Sequence, residues 1–337
     1  MKVFYDERQA LHVPARELHN GEWAAHADTP ERVHSVIASC GPTLAAKDYG
    51  LQPILAVHDA DYVAFLQEAY DLWRASGRPG DALGYAFPRA GRRTLSLERI
   101  EARLGAYSID VATPVAEGTW EASYWSAQTA LTALEEVATS RRAAFACCRP
   151  PSHHAGRDYM GGYCYLNSAA IAARHAGAIG LGPVALLDID YHHGNGSQDI
   201  FLDDPSVFFA SIHADPQTDY PFFWGHADER GEGGGAGTTL NLPLPRGTGW
   251  NEYAPALHTA LAAVASWGAA MLVVSFGADT YGGDPISHFD LKQADYRRLA
   301  AAIAGLNLPM LIVLEGGYAV DALGTNVATF LSEFEEG

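Results

Sequence analysis

Positive charge is scarce in this sequence. Against 40 Asp and Glu there are only 22 Lys and Arg, which leaves a formal charge of −18 at pH 7. Binding a phosphate backbone requires a basic surface, so this balance disfavours nucleic acid, which is not expected as a partner, and favours cationic ligands. Cysteine is also scarce: Cys40, Cys147, Cys148 and Cys164 show no paired spacing. Neighbouring Cys147 and Cys148 read as small buried hydrophobes in a strand, and a reduced cytoplasm is the expected location. Met1 runs straight into a strand-like MKVFY without a basic or apolar leader, so no signal peptide is expected. The uncharged stretch from Ala254 to Ala278 breaks at Trp267-Gly268 and contains His258, Thr259 and Ser266, so it reads as a buried helix and strand, not a membrane span.

Linkers, like-charge runs and internal repeats are missing too, and this points to one domain across all 337 residues. Three common catalytic signatures are absent: the GxSxG nucleophile elbow, the GxxxxGK[ST] phosphate loop and HExxH. The GGGAG at Gly233–Gly237 precedes a strand-like TTLNLPL and not a helix, which argues against phosphate binding.

What is present is a 48% hydrophobic chain, enough for a sizeable core. Short apolar runs predict strands at Val3–Tyr5, Ala143–Cys148, Val184–Asp190, Val207–Ile212, Met271–Phe276 and Met310–Leu314. Helical spacing falls near Glu31–Cys40, Asp61–Ala75, Glu121–Ala138, Ser168–Ala176, Tyr253–Ser266 and Asp295–Ala304. Strands alternating with helices predict βαβ units: an α/β fold with a mostly parallel central sheet flanked by helices. Two long segments fit no element. Gly77–Thr119 is helical only around Leu97–Tyr107, and Ala214–Thr239 carries Pro, aromatics and glycine; loops of this length are usually functional.

In an open parallel sheet, ligands bind beyond the carboxyl ends of the strands. Four strands here end in reactive residues. AAFACC runs into RPPSHH with His153 and His154, VALLDID into YHHGNG, MLVVSFGA into Asp279, and MLIVLEGG into Tyr318. Asp188, Asp190 and His192 lie at i, i+2 and i+4, which on a strand puts all three on one side. With Asp279 from a neighbouring strand end, Asp190 and His192 make three ligands for a divalent metal and leave positions open for water and substrate. Tandem imidazoles beside a metal could supply the base and the acid that amide hydrolysis requires. Tyr318, after two glycines, could swing a phenol towards a developing oxyanion. Any one cluster could be a capped loop or a satisfied core histidine, whereas four on one rim make a site.

These residues lie in RPPSHHAG, GGYCYLNSAAIAA, LLDIDYHHGNGSQDIF, FFASIHADP, SFGADTYGGDP and LEGGY, which resemble the arginase–deacetylase superfamily and its acetylpolyamine amidohydrolase branch. The resemblance spans nearly the whole chain. It implies the arginase–deacetylase fold and a zinc-dependent deacetylase acting on small acetylated amines. Asp190, His192 and Asp279 become the zinc ligands, with Fe²⁺, Mn²⁺ or Co²⁺ also acceptable to so hard a site. His153 and His154 become the catalytic pair, with His154 the base, and Tyr318 the carbonyl-polarising group. Asp188 would orient His153 and, with Ser211 and Ile212, hold a structural potassium ion. Tyr163, Tyr220 and Ile286 would line the acyl tunnel.

The sequence departs from the family pattern in places. Asn195 stands where class I histone deacetylases carry Asp and would orient His154 without adding charge. Ser152 replaces the glycine of PPGHH. In polyamine-processing members, carboxylates from an insertion narrow the tunnel across a dimer interface. Here the insertion is about 77–119; Glu101 keeps one carboxylate, Ala112 stands where the other aligns, and Asp110 or Glu117 could substitute. Arginases hold two manganese ions with an extra Asp where this chain has Gly277, so one metal is expected. The expected enzyme is a cytoplasmic homodimer. The competing readings are a protein lysine deacetylase, a hydrolase of another small amide, and an acyl-amine binding module without chemistry.

Overall fold

The protein is described by a computed structural model covering residues 1–89 and 96–334. The insertion predicted at about 77–119 is therefore described except at 90–95, which lie outside those residues.

The chain opens with strand β1 (Lys2–Phe4), then a hairpin of β2 (Arg16–His19) and β3 (Glu22–Ala25). Helices α1 (Pro30–Cys40), α2 (Gln52–Leu55), α3 (Ala60–Ala75), α4 (Ile100–Ala106) and α5 (Thr119–Ser140) follow. Beyond them come β4 (Ala144–Ala146), α6 (Ser168–Ala178), β5 (Val184–Asp188), α7 (Asn195–Phe201), β6 (Val207–Ala214) and β7 (Thr239–Leu244). The last elements are α8 (Trp250–Trp267), β8 (Met271–Phe276), α9 (Gln293–Ala304), β9 (Met310–Leu314) and α10 (Val320–Leu331).

Seven strands form one sheet in the order β1-β4-β9-β8-β5-β6-β7. Every pairing in it is parallel, so the sheet is wholly and not mostly parallel. Its strands are apolar on both faces, as a sheet covered by helices on two sides demands. Successive residues of β8 show why: Val273 packs into one core cluster with α3, α5 and α6, while Leu272 and Val274 pack into the other with α1, α8, α9 and α10. Each such buried side chain contributes about 1.5–3 kcal/mol. This period of two fixes the register, because a slip of one residue would exchange the two faces.

The order places β4, β9, β8 and β5 side by side. These are the four strands whose ends carry His153 and His154, Tyr318, Asp279 and Asp190. Parallel pairing puts all four ends on one edge.

Two expectations need correction. Strand β5 stops at Asp188, so Asp190 and His192 lie beyond it, not on it. Their common direction is kept instead by a chain of side-chain caps: Asp188 Oδ1 accepts the Asp190 N–H at 3.1 Å, and Asp190 Oδ1 accepts the His192 N–H at 2.9 Å. The antiparallel β2–β3 hairpin was not expected, because its exposed strands show no apolar alternation. The stretch from Ala254 to Ala278 is α8 and β8, and no described helix is long and apolar enough to cross a membrane.

Candidate active site

Asp190, His192 and Asp279 each offer one ligand atom, and all three atoms lie within 4.8 Å of one another. His192 Nδ1 is 3.1 Å from Asp279 Oδ2 and 3.4 Å from Asp190 Oδ1. Bare backbone makes room for this cluster. A Cβ on Gly277 would stand 1.9 Å from Asp190 Oδ2, and one on Gly316 would stand 2.5 Å from Asp279 Oδ2. Burial and the neighbouring Asp190 charge push the Asp279 carboxyl up to about 7. Two carboxylates and an imidazole in this arrangement, with His192 lining the cavity, fit one hard or borderline divalent cation.

The two histidines of the tandem differ in surroundings. His153 Nδ1 donates to Asp188 Oδ2 at 2.9 Å and lies behind the cavity wall. Burial presses its pKa down, but Asp188 and Asp190 outweigh it and hold it up at about 10. His154 lines the cavity, and its Nδ1 donates to Asn195 Oδ1 at 2.7 Å, which leaves Nε2 as the free base nitrogen. Burial, reinforced by His153 and His192, keeps His154 well below the ordinary imidazole range. The loop carrying both rings is anchored by buried Glu315. That carboxylate accepts from Ser152 N at 2.5 Å, Ser152 Oγ at 2.7 Å, His153 N at 3.1 Å and Ser275 Oγ at 3.0 Å. Ser152, standing where the family pattern has glycine, thus adds its hydroxyl as one of the four donors to Glu315. Glu315→Ala should strand all four donors and lower stability by about 3 kcal/mol or more, which a shift in the urea midpoint would measure.

Tyr318 sits on a turn tied from both sides. Asp284 Oδ2 accepts the amides of Tyr318 at 2.7 Å and Ala319 at 3.2 Å. Buried Arg32 donates to Gly317 O at 2.6 Å and Glu315 O at 2.5 Å, and its guanidinium lies 4.7 Å from the centre of the Tyr318 ring. Burial pushes the phenol well above its ordinary pKa, so it remains a hydrogen-bond donor. Glycine is required at 317, where φ is +122° and a Cβ would meet Leu323 Cδ1 at 2.7 Å. Arg32→Ala should loosen this turn and lower kcat more than it raises KM, a split that steady-state kinetics would resolve.

Above these groups lies a cavity of about 720 Å³. His154, His192 and Tyr318 line its floor, and Tyr163, Tyr220, Ile286, Phe222 and Phe87 are among its walls. The Tyr220 ring packs edge-on to His154 at 5.1 Å, and its hydroxyl donates to Asp110 Oδ2 at 2.9 Å. The Tyr163 hydroxyl donates to Glu17 Oε1 at 3.0 Å.

The family model of the histone deacetylase domain matches residues 26–334. The chain belongs to the histone deacetylase family. It is 47% identical to acetylpolyamine amidohydrolase 1 of Pseudomonas aeruginosa, over 99% of each chain. It is 41% identical to the acetylpolyamine amidohydrolase of Mycoplana ramosa, over 98% of each. The crystal structure of the acetylpolyamine aminohydrolase of Burkholderia pseudomallei superposes with a TM-score of 0.95 at 38% identity, covering 100% of this chain and 99% of that one.

Within this family frame, the sequence-level candidates divide. Asp190, His192, Asp279, His153, His154, Asp188, Asn195 and Tyr318 come together at one edge of the sheet, and Tyr163, Tyr220 and Ile286 line the cavity above them. Ser211 lies beside Asp188 in the β5–β6 register, with Ile212 next in β6. Of the three acids offered for the insertion, Asp110 alone lines the cavity, and it is committed to Gly162 N at 2.7 Å as well as to Tyr220. Glu117 is exposed and away from it. Glu101 lies in a separate surface groove, paired with Arg78 and Arg99, and the hydrogen bond from Arg99 is the first cause that lowers its pKa to about 2.

Several working residues had not been candidates. Asp284 and Glu315 stand inside the motifs SFGADTYGGDP and LEGGY, so position within a motif was the available signal. Arg32 carried no local signal. The cavity residues Leu18, His19 and Asn20 come from the β2–β3 hairpin. Its signal was Asn20-Gly21, a two-residue turn with φ of 49° and 86°, the conformation for which Asn-Gly is preferred.

Proposed function

We propose that this protein is a zinc-dependent amide hydrolase that removes acetyl or similar short acyl groups from small cationic amines such as acetylpolyamines. The observation that carries this reading is the meeting of the ligand cluster, His154 and Tyr318 on the floor of one walled cavity. The relatives named acetylpolyamine amidohydrolase, matched over the full chain, support it. A zinc ion held by Asp190, His192 and Asp279 would supply Lewis acidity towards the amide carbonyl and the attacking water.

The chain's own groups do the rest. His154 Nε2 takes a proton as water oxygen attacks the carbonyl carbon, and Asn195 holds the ring for that task. The Tyr318 hydroxyl donates to the oxyanion as it forms. The carbon–nitrogen bond then breaks, and an imidazolium of the tandem pair returns the proton to the leaving amine. One water is consumed, and a carboxylate and an ammonium result, the second water proton passing from the acid to the freed amine. In this reading Asp188, Ser211 and Ile212 also hold a structural potassium ion.

A panel of acetylated polyamines, acetyl-lysine peptides and longer acyl amides tests the substrate. Acetylated diamines should have the highest kcat/KM, by about tenfold or more over peptides, as a walled cavity and a strongly acidic chain favour small cations. Peptides cleaved as fast as diamines would instead make it a protein lysine deacetylase. In our reading the enzyme is a homodimer, and Glu101 and Glu117, which lie away from their own chain's cavity, serve that of the second copy. Neutralising them should raise KM for a charged amine more than for an uncharged acetamide, and added salt should blunt the difference. A monomer by light scattering would refute that part.

A further inference from the structure

Behind His154, on the side away from the cavity, the hydrogen bonds continue through groups that the proposed mechanism does not use. We infer that Tyr159 and Asp199 are positioning residues that lock the Asn195 side-chain amide in the orientation that keeps the His154 proton on Nδ1. The inference rests on the base role given to His154 above.

An amide has two ends of nearly equal size and opposite chemistry: the oxygen accepts and the NH₂ donates. With its oxygen towards His154, Asn195 accepts the Nδ1–H at 2.7 Å and leaves Nε2 as the free base. Turned over, it would donate to Nδ1 and move the ring proton to Nε2, where it blocks the base. A carboxylate at this position could not make that error, since both its oxygens accept. Asn195 therefore needs something to read its other end.

Tyr159 is that reader. Asn195 Nδ2 donates to Tyr159 Oη at 3.2 Å, while its other contact, to His154 O, is long at 3.5 Å. A phenol oxygen can either donate or accept, so by itself Tyr159 would tolerate both amide orientations. Asp199 removes the choice: its Oδ2 takes the Tyr159 proton at 2.7 Å. Burial pushes the Asp199 carboxyl up to about 6, still ionised at neutral pH and so an acceptor only. Trp224 Nε1, 3.1 Å from both Asp199 oxygens, fixes the carboxylate from the far side. Every proton in the series then points one way, from His154 to Asn195 to Tyr159 to Asp199.

The backbone is shaped to hold this series. Asn195 and Asp199 stand four residues apart on α7, on one helix face. Tyr159 folds back over Gly156, where a Cβ would stand 2.2 Å from the ring carbon Cε1. The Gly156 amide donates to Tyr159 O at 3.0 Å and closes the turn.

The test is a double-mutant cycle on the metal-loaded enzyme. Tyr159→Phe should lower kcat by about tenfold or more, because a reversed histidine tautomer can cost up to about 10⁴, with metal content and KM little changed. In an Asn195→Asp background the same substitution should cost less than about twofold, since a carboxylate needs no orienting. Equal losses in both backgrounds would reduce Tyr159 to a packing role and overturn the inference. Long-range ¹H–¹⁵N spectra of the histidine rings, with His154→Ala for assignment, give a readout independent of substrate. His154 should carry its proton on Nδ1 in the wild type and in the double variant, and lose it from there in Tyr159→Phe. A Nδ1 proton retained in Tyr159→Phe overturns the inference even if activity falls. A wild-type enzyme inert towards every acetylated amine would refute the proposed function, while the spectra would still decide this point. If Tyr159→Phe fails to fold, Asp199→Asn tests the series from its other end, with the same rescue by Asn195→Asp expected.

Discussion

Asp279→Ala is expected to abolish metal binding and to leave turnover below about 1% of wild type. Asp279 supplies one of three ligand atoms gathered within 4.8 Å, and no other described His, Cys, Asp or Glu joins that group. Two ligands from one loop cannot hold a cation that the third fixes from a neighbouring strand. The fold should survive the change, because burial and the Asp190 charge disfavour the ionised Asp279 carboxyl in the metal-free protein. Its carboxyl is pushed up to about 7, and among the described residues its side chain hydrogen-bonds Tyr191 N at 3.0 Å and His192 Nδ1 at 3.1 Å. Elemental analysis and thermal melts check both halves. Added zinc should raise the wild-type melting temperature, by about 2.7 kcal/mol of stabilisation at 100 times its dissociation constant, and should not shift the variant. Full metal occupancy in Asp279→Ala would move the centre elsewhere.

The elements most legible in the sequence were those buried on both faces. Strands β8 and β9 run end to end as expected at Met271–Phe276 and Met310–Leu314, because an unbroken apolar run has few other places to go in a parallel sheet. Helices α1, α3 and α5 kept their positions with one or two residues added at the ends, where capping and not periodicity sets the boundary. Helix α7 was missed because NGSQDIF has a glycine, no side-chain cap and no apolar stripe long enough to declare a period. The two strands of the exposed hairpin were missed because nothing on them alternates.

The site divides in the same way. The candidate ligands and the tandem histidines were visible because their chemistry is rare and they follow directly on apolar strand runs. The residues that hold those groups were not, because the contacts span the chain: Arg32 is 285 positions from the carbonyl of Gly317, and Ser152 is 163 from Glu315. Such pairings follow from the order of strands in the sheet, and that order puts β9 between β4 and β8 although it is the last strand made. Tyr318 shows the consequence. Two glycines before it suggested a phenol free to swing, yet Asp284 and Arg32 hold the turn by its amides and carbonyls.

That clamp makes Tyr318→Phe the cleanest test of chemistry against positioning. The substitution removes one hydroxyl. The hydrogen bonds to the Asp284 carboxylate come from the backbone amides of Tyr318 and Ala319 and not from the phenol, and the Arg32 guanidinium 4.7 Å above the ring has a phenyl face to rest on. Tyr163, whose ring lies 5.7 Å away edge-on, keeps its partner. Neither the metal ligands nor the cavity walls change, so metal content and KM should stay within about threefold of wild type. What is lost is a donor preorganised beside the oxyanion, and such donors are worth about 10²–10³ in kcat. A fall of roughly 100-fold in kcat and in kcat/KM together is therefore expected, the pattern of an interaction made only in the transition state. Burial keeps the phenol protonated well above its ordinary range, so the loss should be the same at every pH where the enzyme works. A variant within threefold of wild type would remove Tyr318 from the reaction. A rise in KM at unchanged kcat would make it a wall of the cavity and nothing more.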